Sequence, residues 1–332
     1  RDDWTMQKLF LLAEGLMPIF PGTYLATLLS TYAIAGADVE EATLQRLVDL
    51  LLAQVSSTRM SSVCFAMRSF GALDYHPGER MLQAVQAKVA KHPGVLSDKE
   101  AVGLMYSFGK LEECPSKPVL RKMEQALRIH LPHIGPRGLV QVIWAYAKMG
   151  GWRPPPDVLQ VITDRLLEEI GGLDRISLPM VLYSYARLGY EPGEELLLAL
   201  HARACLVARD LCPQGVANIL WGFQRLDYVP DSVLLSELSL AFTQGGWSDS
   251  DRTPLAAAQF IDAHAQMGTH PGADALRSLD AYVSRCIEEF DTSHLNSIFT
   301  AYQLLGHKPG AAVLGHMRRQ AAANIKSGAL EK

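Results

Sequence analysis

A period of 38 residues runs through the chain and restricts its fold more than any other feature of the sequence. One copy covers residues 213–230, where Val216, Leu220 and Phe223 form an apolar stripe at helical spacing. Its last apolar helical position has equivalents in seven further copies, at steps of 38, 38, 38, 39, 38, 41 and 38 residues. A fixed period of this size is typical of stacked helical repeats. These equivalent positions, called anchors below, are Ala35, Leu73, Leu111, Met149, Leu188, Leu226, Met267 and Leu305.

Each copy reads as a first helix (helix A), a short turn and a second helix (helix B). A large apolar residue lies six positions before each anchor, and an aromatic ring lies three before it in every copy except that of His264. The residue four before the anchor is small, which would let a neighbouring backbone or a ligand approach. Glycine or an acidic residue follows the anchor and can end helix A in a left-handed conformation, and most copies then have a proline that could open helix B.

This pattern predicts an all-α fold, a right-handed α-α superhelix (solenoid) of about eight helical hairpins of 38 residues each. Residues 1–20 fit the second half of a preceding repeat or an N-terminal cap, residues 21–326 form the eight-repeat solenoid, and residues 327–332 form a tail. A leucine in every helix B, from Leu44 to Leu314, is predicted to be buried between helices. The 41-residue step predicts a loop insertion at residues 245–251.

Composition favours an ordered and soluble protein, since 48% of the residues are hydrophobic and 20% are charged. No apolar run reaches the ~18 residues of a membrane helix, so no membrane association is predicted. The net charge of −4 means that any nucleic-acid surface must be local. The five cysteines are scattered and favour reduced core residues over a disulfide framework or a zinc site.

No nucleotide-binding loop or nucleophile motif is present, so neither an enzyme, a cofactor nor a small-molecule substrate is predicted. His130 and His133 flank Pro132 but have no further metal ligands at useful spacing. We therefore expect no metal site. These features favour a binding protein over a catalyst.

One helix A face, formed by the positions 12, 8, 5 and 1 before the anchor, lies away from the apolar stripe. In the four central copies it carries an aromatic ring and a cation four residues apart. Rings that stack on bases and cations that hold phosphates are what single-stranded RNA recognition requires. Alternatively, the rings belong to the inter-repeat core and the cations complement the helix dipole. The candidate RNA-binding residues are Lys99, Tyr106, Lys110, Arg137, Gln141, Trp144, Lys148, Tyr183, Arg187, Gln214, Asn218, Trp221 and Arg225.

The segment Pro213-Gln214-x-x-Ala217-Asn218-x-Leu220-Trp221, followed by Leu226 and Pro230, resembles the octatricopeptide repeat family. Residues 144–150 and 185–192 match the same helix A, and residues 154–159 resemble the family's proline-rich start of helix B. The resemblance implies an RNA-binding α-solenoid of mitochondria or plastids that acts in RNA stability, processing, translation or ribosome structure. It also implies that the positions that vary between copies read bases, namely Gly103, Gln141, Met180 and Asn218, with Lys99, Arg137, Ile176 and Gln214.

The expected function is that of an organellar RNA-binding protein that holds or stabilises single-stranded or irregular RNA, ribosomal or messenger, on the helix A surface without catalysis. The alternative is a structural scaffold subunit of an organellar ribosome or ribonucleoprotein that makes mainly protein contacts. The weakly patterned outer copies and the negative net charge favour this alternative. The expected location is the organellar matrix, with the mitochondrion slightly ahead of the plastid stroma.

Overall fold

The structure, a computed structural model, describes residues 3–244, 252–310 and 313–315, and these residues form helices joined by turns, with no strand. The predicted insertion at 245–251 and the predicted tail at 327–332 lie outside the described residues. The α-helices described are α1 Asp3–Leu16, α2 Gly22–Ala35, α3 Glu41–Gln54, α4 Met60–Ala72, α5 Glu79–Lys91, α6 Asp98–Lys110, α7 Lys117–His130, α8 Pro136–Lys148, α9 Pro156–Glu168, α10 Ser177–Leu188, α11 Glu194–Val207, α12 Pro213–Arg225, α13 Ser232–Gln244, α14 Pro254–Gln266, α15 Ala273–Arg285 and α16 Thr292–Leu304.

The chain forms two compact units, an N-terminal unit of residues 1–165 and a C-terminal unit of residues 166–332. In the N-terminal unit the first helices α2, α4, α6 and α8 pack in succession, and the second helices α3, α5 and α7 do the same. In the C-terminal unit, α10, α12, α14 and α16 pack in succession, as do α11, α13 and α15. The all-α prediction is confirmed, and helices packed in neighbouring pairs are consistent with an α-solenoid. The number of repeats and the right-handed superhelix stay predictions, since the second helix of the eighth copy lies mostly outside the described residues.

The core follows the repeat closely. The seven aromatic rings three positions before the anchor, from Tyr32 to Tyr302, are at most 1% exposed. The large residue six before the anchor is buried in seven copies, while Phe299 is half-buried and Ile298 is buried beside it. The prediction that every helix B leucine is buried is wrong in two copies, because Leu197 and Leu314 are half-buried. In both copies the preceding residue, Leu196 or Val313, is buried, as it is in most other copies.

The small residue four before the anchor lies where consecutive first helices touch. A methyl group on Gly222 of α12 would lie 2.7 Å from Leu182 Cβ of α10, and one on Gly109 of α6 would lie 2.7 Å from Ala145 Cα of α8. The backbones of neighbouring first helices therefore come into contact at these points. The small residue was predicted to let either a neighbouring backbone or a ligand approach. These contacts show that a neighbouring backbone does so.

The turn after helix A has the predicted left-handed backbone in seven copies, with φ between 51° and 66°. In the fourth copy the left-handed residue is Gly151 rather than Gly150. The prolines do not open helix B as predicted, because they precede its N-cap: Pro77, for example, is followed by Gly78 as the N-cap and Glu79 as the first helical residue. Among the second helices α3 to α15, whose bounds are given above, only α9 has a proline, Pro156, as its first residue.

Helix α1 packs beside α2 through its aromatic and acidic residues. The rings of Phe10 and Tyr32 are 4.5 Å apart, and the Tyr32 hydroxyl donates a hydrogen bond of 3.0 Å to Glu14. The Tyr146 hydroxyl of α8 makes the equivalent bond of 3.3 Å to Glu124 of α7. Helix α1 therefore contacts α2 in the way that a helix B contacts the next helix A.

The cysteine prediction is only partly right, since Cys64 is buried but Cys114 and Cys205 are exposed, and all five are free thiols. No described helix is long and apolar enough to cross a membrane. Among the described residues, no group of three or more histidine, cysteine and acidic side chains is arranged to hold a metal ion.

The left-handed residues that are not glycine provide a first test. Asp227 has φ 53° and is exposed, and a left-handed conformation costs a residue with a Cβ about 1–2 kcal/mol. Because glycine also loses more entropy on folding, we expect Asp227→Gly to raise the free energy of unfolding by about 0.5–1 kcal/mol. Denaturant unfolding measures this change. The control Gln224→Gly, inside α12, should lower the free energy of unfolding by about 1 kcal/mol. If both glycine variants were more stable than the unmodified protein, or if neither were, the explanation would be wrong.

His264 provides a second test, because it occupies the ring position of the seventh copy and is fully buried. Burial, with a smaller effect of His270, lowers the pKa of His264 to about 4. The unfolded chain binds this proton near pH 6.5 but the folded chain does not, so stability is lost as the pH falls from 6.5 towards 4. We expect a slope of up to about 1.4 kcal/mol per pH unit, which His264→Tyr removes. The exposed His133→Tyr should leave the slope unchanged, and an equal slope in all three proteins would contradict the prediction.

Candidate nucleic-acid interface

The thirteen predicted RNA-binding residues lie on α6, α8, α10 and α12, and none of them is buried. Lys99, Lys110, Arg137, Arg187 and Arg225 are exposed, and the other eight are half-buried. Helices α6 and α8 belong to the N-terminal unit, and α10 and α12 belong to the C-terminal unit. Each unit therefore presents two of the four predicted helices to solvent.

In the N-terminal unit the predicted rings form a pair flanked by cations. The centroids of Tyr106 and Trp144 are 5.3 Å apart with the planes tilted by 39°. The Arg68 guanidinium lies 5.7 Å from the Tyr106 centroid, and Lys148 Nζ lies 5.9 Å from the Trp144 centroid. Both rings are half-buried, so they pack on one another and still offer surface to a ligand. The two interpretations of these rings, as packing and as binding residues, are therefore compatible.

The C-terminal unit repeats this arrangement. The centroids of Tyr183 and Trp221 are 5.5 Å apart with an angle of 34°, and the Arg225 guanidinium lies 6.0 Å from the Trp221 centroid. The exposed Arg187 lies one helical turn after Tyr183 on α10. Each unit thus has one aromatic pair with cationic side chains beside it.

A groove of about 600 Å³ runs along α4, α6 and α8 in the N-terminal unit, a volume typical of ligand sites. Three cationic side chains line it, those of Arg68, Lys99 and Arg137. Its acidic residues are Asp98 and Glu100, and the Glu100 carboxylate is engaged in a capping box with Ser97. The groove also contains Gln141 and the ring of Phe65, which is 44% exposed. It therefore combines local positive charge with an accessible aromatic ring.

Arg68 and Phe65 are site residues that the sequence pattern did not reveal. They belong to the second copy, which lacks an aromatic ring five before its anchor and so falls among the outer copies. Arg68 occupies that ring position itself, and its side chain crosses to Tyr106 of the next copy. It also covers Gly103, where an added Cβ would lie 3.5 Å from Arg68 Cδ. The sequence offered one signal for this contact. Arg68 lies five positions before its anchor, and the next copy has the ring of Tyr106 at the same position.

Lys148 differs from the other predicted cations because it already has an acidic partner. Its Nζ lies 2.8 Å from Glu112 Oε1, in the turn after α6. Both side chains are accessible, so this ion pair contributes little to stability. It nevertheless competes with a phosphate for Lys148, which makes the exposed Lys99 and Lys110 the stronger phosphate ligands.

A cluster of amide side chains lies beside the aromatic pair of the C-terminal unit. Gln214 Nε2 of α12 donates to Asn218 Oδ1 at 3.0 Å and to Gln259 Oε1 of α14 at 3.2 Å. Gln214 Oε1 accepts a hydrogen bond of 3.1 Å from the Thr253 hydroxyl. Gln259 and Thr253 were not predicted either, because they lie in the weakly patterned seventh copy. We call Gln214, Asn218 and Gln259 the amide cluster.

The one thiol in the groove of the N-terminal unit is not activated. Burial and the nearby Glu100 carboxylate raise the pKa of Cys64 to about 12. The thiol therefore stays protonated at neutral pH and is a poor nucleophile. The arrangement of the groove favours binding through charge and stacking over covalent chemistry.

No known family model matches this chain, and no curated protein is significantly similar to it. The octatricopeptide resemblance therefore stays a prediction from the repeat pattern.

The Tyr106–Trp144 pair can be tested by a double-mutant cycle. A tilted pair at this distance is worth about 0.5–1.5 kcal/mol beyond its buried area. We expect Tyr106→Leu and Trp144→Leu to show that coupling in the free energy of unfolding. As a control, Tyr75→Leu should not couple to Trp144→Leu, because the Tyr75 ring packs on Phe70. Zero coupling between Tyr106 and Trp144 would contradict the pairing.

Proposed function

We propose that this protein holds single-stranded or irregular RNA on its helix A surfaces, without catalysis. The observation that carries the proposal is the half-exposed aromatic pair beside cations that occurs in each unit. Stacking of a base on an aromatic side chain contributes about 1–3 kcal/mol and is tolerant of sequence. Cations next to such rings can neutralise the phosphates of the same strand.

The ring spacing constrains how a base would bind. A base inserted between two parallel rings needs about 7 Å, or two stacking distances of about 3.4 Å. The paired rings are 5.3 Å and 5.5 Å apart, so each pair is too close to admit a base between its members. We therefore propose that bases stack on the accessible surface of each pair.

The charge distribution supports a local RNA surface on a protein whose net charge is −4. Arg68, Lys99 and Arg137 converge on one groove, and Lys110 is exposed on the same face of α6 as the ring of Tyr106. Cations gathered at one groove are a local site where RNA phosphates can bind. These cations provide affinity for the RNA phosphate backbone although the protein as a whole is not basic.

The resemblance to octatricopeptide repeats extends the proposal to the RNA and the compartment. On that basis the protein belongs to this family and acts in the matrix of a mitochondrion, or less favourably in the plastid stroma, on ribosomal or messenger RNA. Sequencing the RNA that copurifies with the native protein tests this part. Recovery of cytosolic messenger RNA alone would contradict it.

A scaffold role is the second candidate, favoured by exposed apolar residues on α1. Leu9, Leu12 and Leu16 share one face of this helix and are between 48% and 67% exposed. Such clustered apolar surface is typical of protein contacts. A subunit of an organellar ribosome or ribonucleoprotein could bind RNA on helix A and proteins on α1. Protein crosslinks along helix A without RNA crosslinks would favour the scaffold role alone.

The RNA proposal is tested by removing the three groove cations together in the variant Arg68→Gln/Lys99→Gln/Arg137→Gln. We expect the affinity for single-stranded RNA to fall by roughly tenfold or more at low salt. The slope of log affinity against log salt should decrease by about 2, or about 0.7 for each phosphate that the variant no longer neutralises. Fluorescence anisotropy at several salt concentrations measures both quantities.

The matched control is Arg46→Gln/Arg80→Gln/Arg121→Gln, which removes the same charge from exposed positions on α3, α5 and α7. We expect this variant to bind RNA almost as the unmodified protein does. An equal decrease in affinity in the two triple variants would mean that only net charge matters. An unchanged affinity in the groove variant would exclude the groove from RNA binding.

A further inference from the structure

We infer that the amide cluster of the C-terminal unit selects bases that present two neighbouring hydrogen-bond acceptors, as cytosine and guanine do, over uracil and adenine. The inference rests on the proposed RNA binding and names the selectivity of that surface. Gln214 is a positioning residue in this scheme, and Asn218 and Gln259 are the residues that touch the base.

Gln214 is held on both ends of its amide. Its oxygen accepts from the Thr253 hydroxyl, and its nitrogen donates to the side-chain oxygens of Asn218 and Gln259 at 3.0 Å and 3.2 Å. A primary amide has two N–H donors, so both are used. Thr253 is in turn the N-cap of α14 and accepts from the Ala256 backbone N–H at 3.1 Å, which holds its hydroxyl in place.

The fixed Gln214 amide determines which ends of its two partners remain available. Asn218 Oδ1 and Gln259 Oε1 already accept hydrogen bonds from Gln214. Within the described part of the chain, neither Asn218 Nδ2 nor Gln259 Nε2 is bonded to another residue. Both side chains are half-buried and therefore reach solvent. The cluster thus offers two NH₂ groups as donors.

The donors lie next to a surface on which a base can stack. Asn218 and Trp221 are three residues apart on α12 and share one helix face. Trp221 is paired with Tyr183 at 5.5 Å and is only half-buried. A base stacked on this pair would bring its edge towards the amide cluster.

The chemistry of the base edges decides which base fits two donors. Cytosine presents N3 and O2 as adjacent acceptors, and guanine presents O6 and N7. Uracil places its N3–H donor between its two carbonyls, and adenine places its amino group beside the acceptors N1 and N7, so neither presents two neighbouring acceptors on these edges. A donor facing a donor leaves both unpaired, and an unmade buried hydrogen bond is costly.

This surface differs in kind from that of the N-terminal unit. There the groove is lined by the cations Arg68, Lys99 and Arg137, which bind phosphates whatever the sequence, together with Asp98, Glu100 and Gln141. The amide cluster has no charge and reads hydrogen-bond patterns. The amide cluster therefore adds selectivity to the affinity that the rings and cations of both units provide.

The test compares oligo(C) and oligo(U) RNA of equal length, since the two bases have the same size but differ at N3. We expect the full chain to bind oligo(C) about 5- to 150-fold more tightly, the range for one pair of matched hydrogen bonds. Gln214→Met should bring this ratio close to one, because Asn218 and Gln259 can then rotate their amides. The salt slope should not change, because neither glutamine nor methionine is charged.

Gln214→Glu gives a sharper result. A carboxylate only accepts, so Asn218 and Gln259 would turn their NH₂ groups towards it and present their oxygens to the base. The ratio should then fall, because the donors that matched cytosine N3 and O2 are replaced by oxygens, and the added negative charge lowers both affinities. Gln83→Met, on an exposed position of α5, is the matched control and should keep the original ratio.

The outcomes separate the two proposals. If the unmodified protein binds neither oligomer, the proposed RNA-binding function fails. If it binds both equally, or if Gln214→Met and Gln214→Glu keep the original ratio, RNA binding stands and the selectivity of the amide cluster is overturned. Circular dichroism of each variant confirms that it is folded, and the half-buried position of Gln214 makes retention of the fold the expected result.

Discussion

The close contact between consecutive first helices is the constraint on which the rest of the structure depends. At Gly109 with Ala145, and at Gly222 with Leu182, the two backbones meet with no side chain between them. Interaxial distances between helices are set by the residues at the contact, so small residues bring the helices to the near end of the range. The large apolar residues and rings on either side of the contact can then fill the core without voids.

In each of the first helices α6, α8, α10 and α12, a buried core residue and an accessible residue of the proposed binding face lie only two positions apart in the sequence. Tyr146 and Trp144 illustrate this, since Tyr146 is 1% exposed while Trp144 is half-buried and pairs with Tyr106. Two residues correspond to about 200° around a helix. The buried ring stabilises the repeat, and the accessible ring depends on it for position. Binding residues on a rigid helix are held more accurately than residues on a loop.

The two units use one architecture for different polar chemistry. Arg68 in the N-terminal unit and Gln214 in the C-terminal unit both bridge from one first helix to the next. The charged Arg68 side chain contacts an aromatic ring, whereas the neutral Gln214 side chain donates a hydrogen bond to an amide oxygen. A repeat protein can vary these exposed positions without disturbing the core, because the core residues lie on the opposite face.

The sequence by itself determined the helices, the buried rings and the accessible face. The 38-residue period predicted the left-handed turn residues in seven copies, and all thirteen candidate binding residues proved accessible. Only the tertiary structure decided which copies meet. The contact of Arg68 with Tyr106, the link from Gln214 to Gln259 and the partial exposure of Leu197 were not predictable. Helical periodicity assigns a residue to a face, but a contact between copies depends on the distance and rotation between two helices, which packing alone sets.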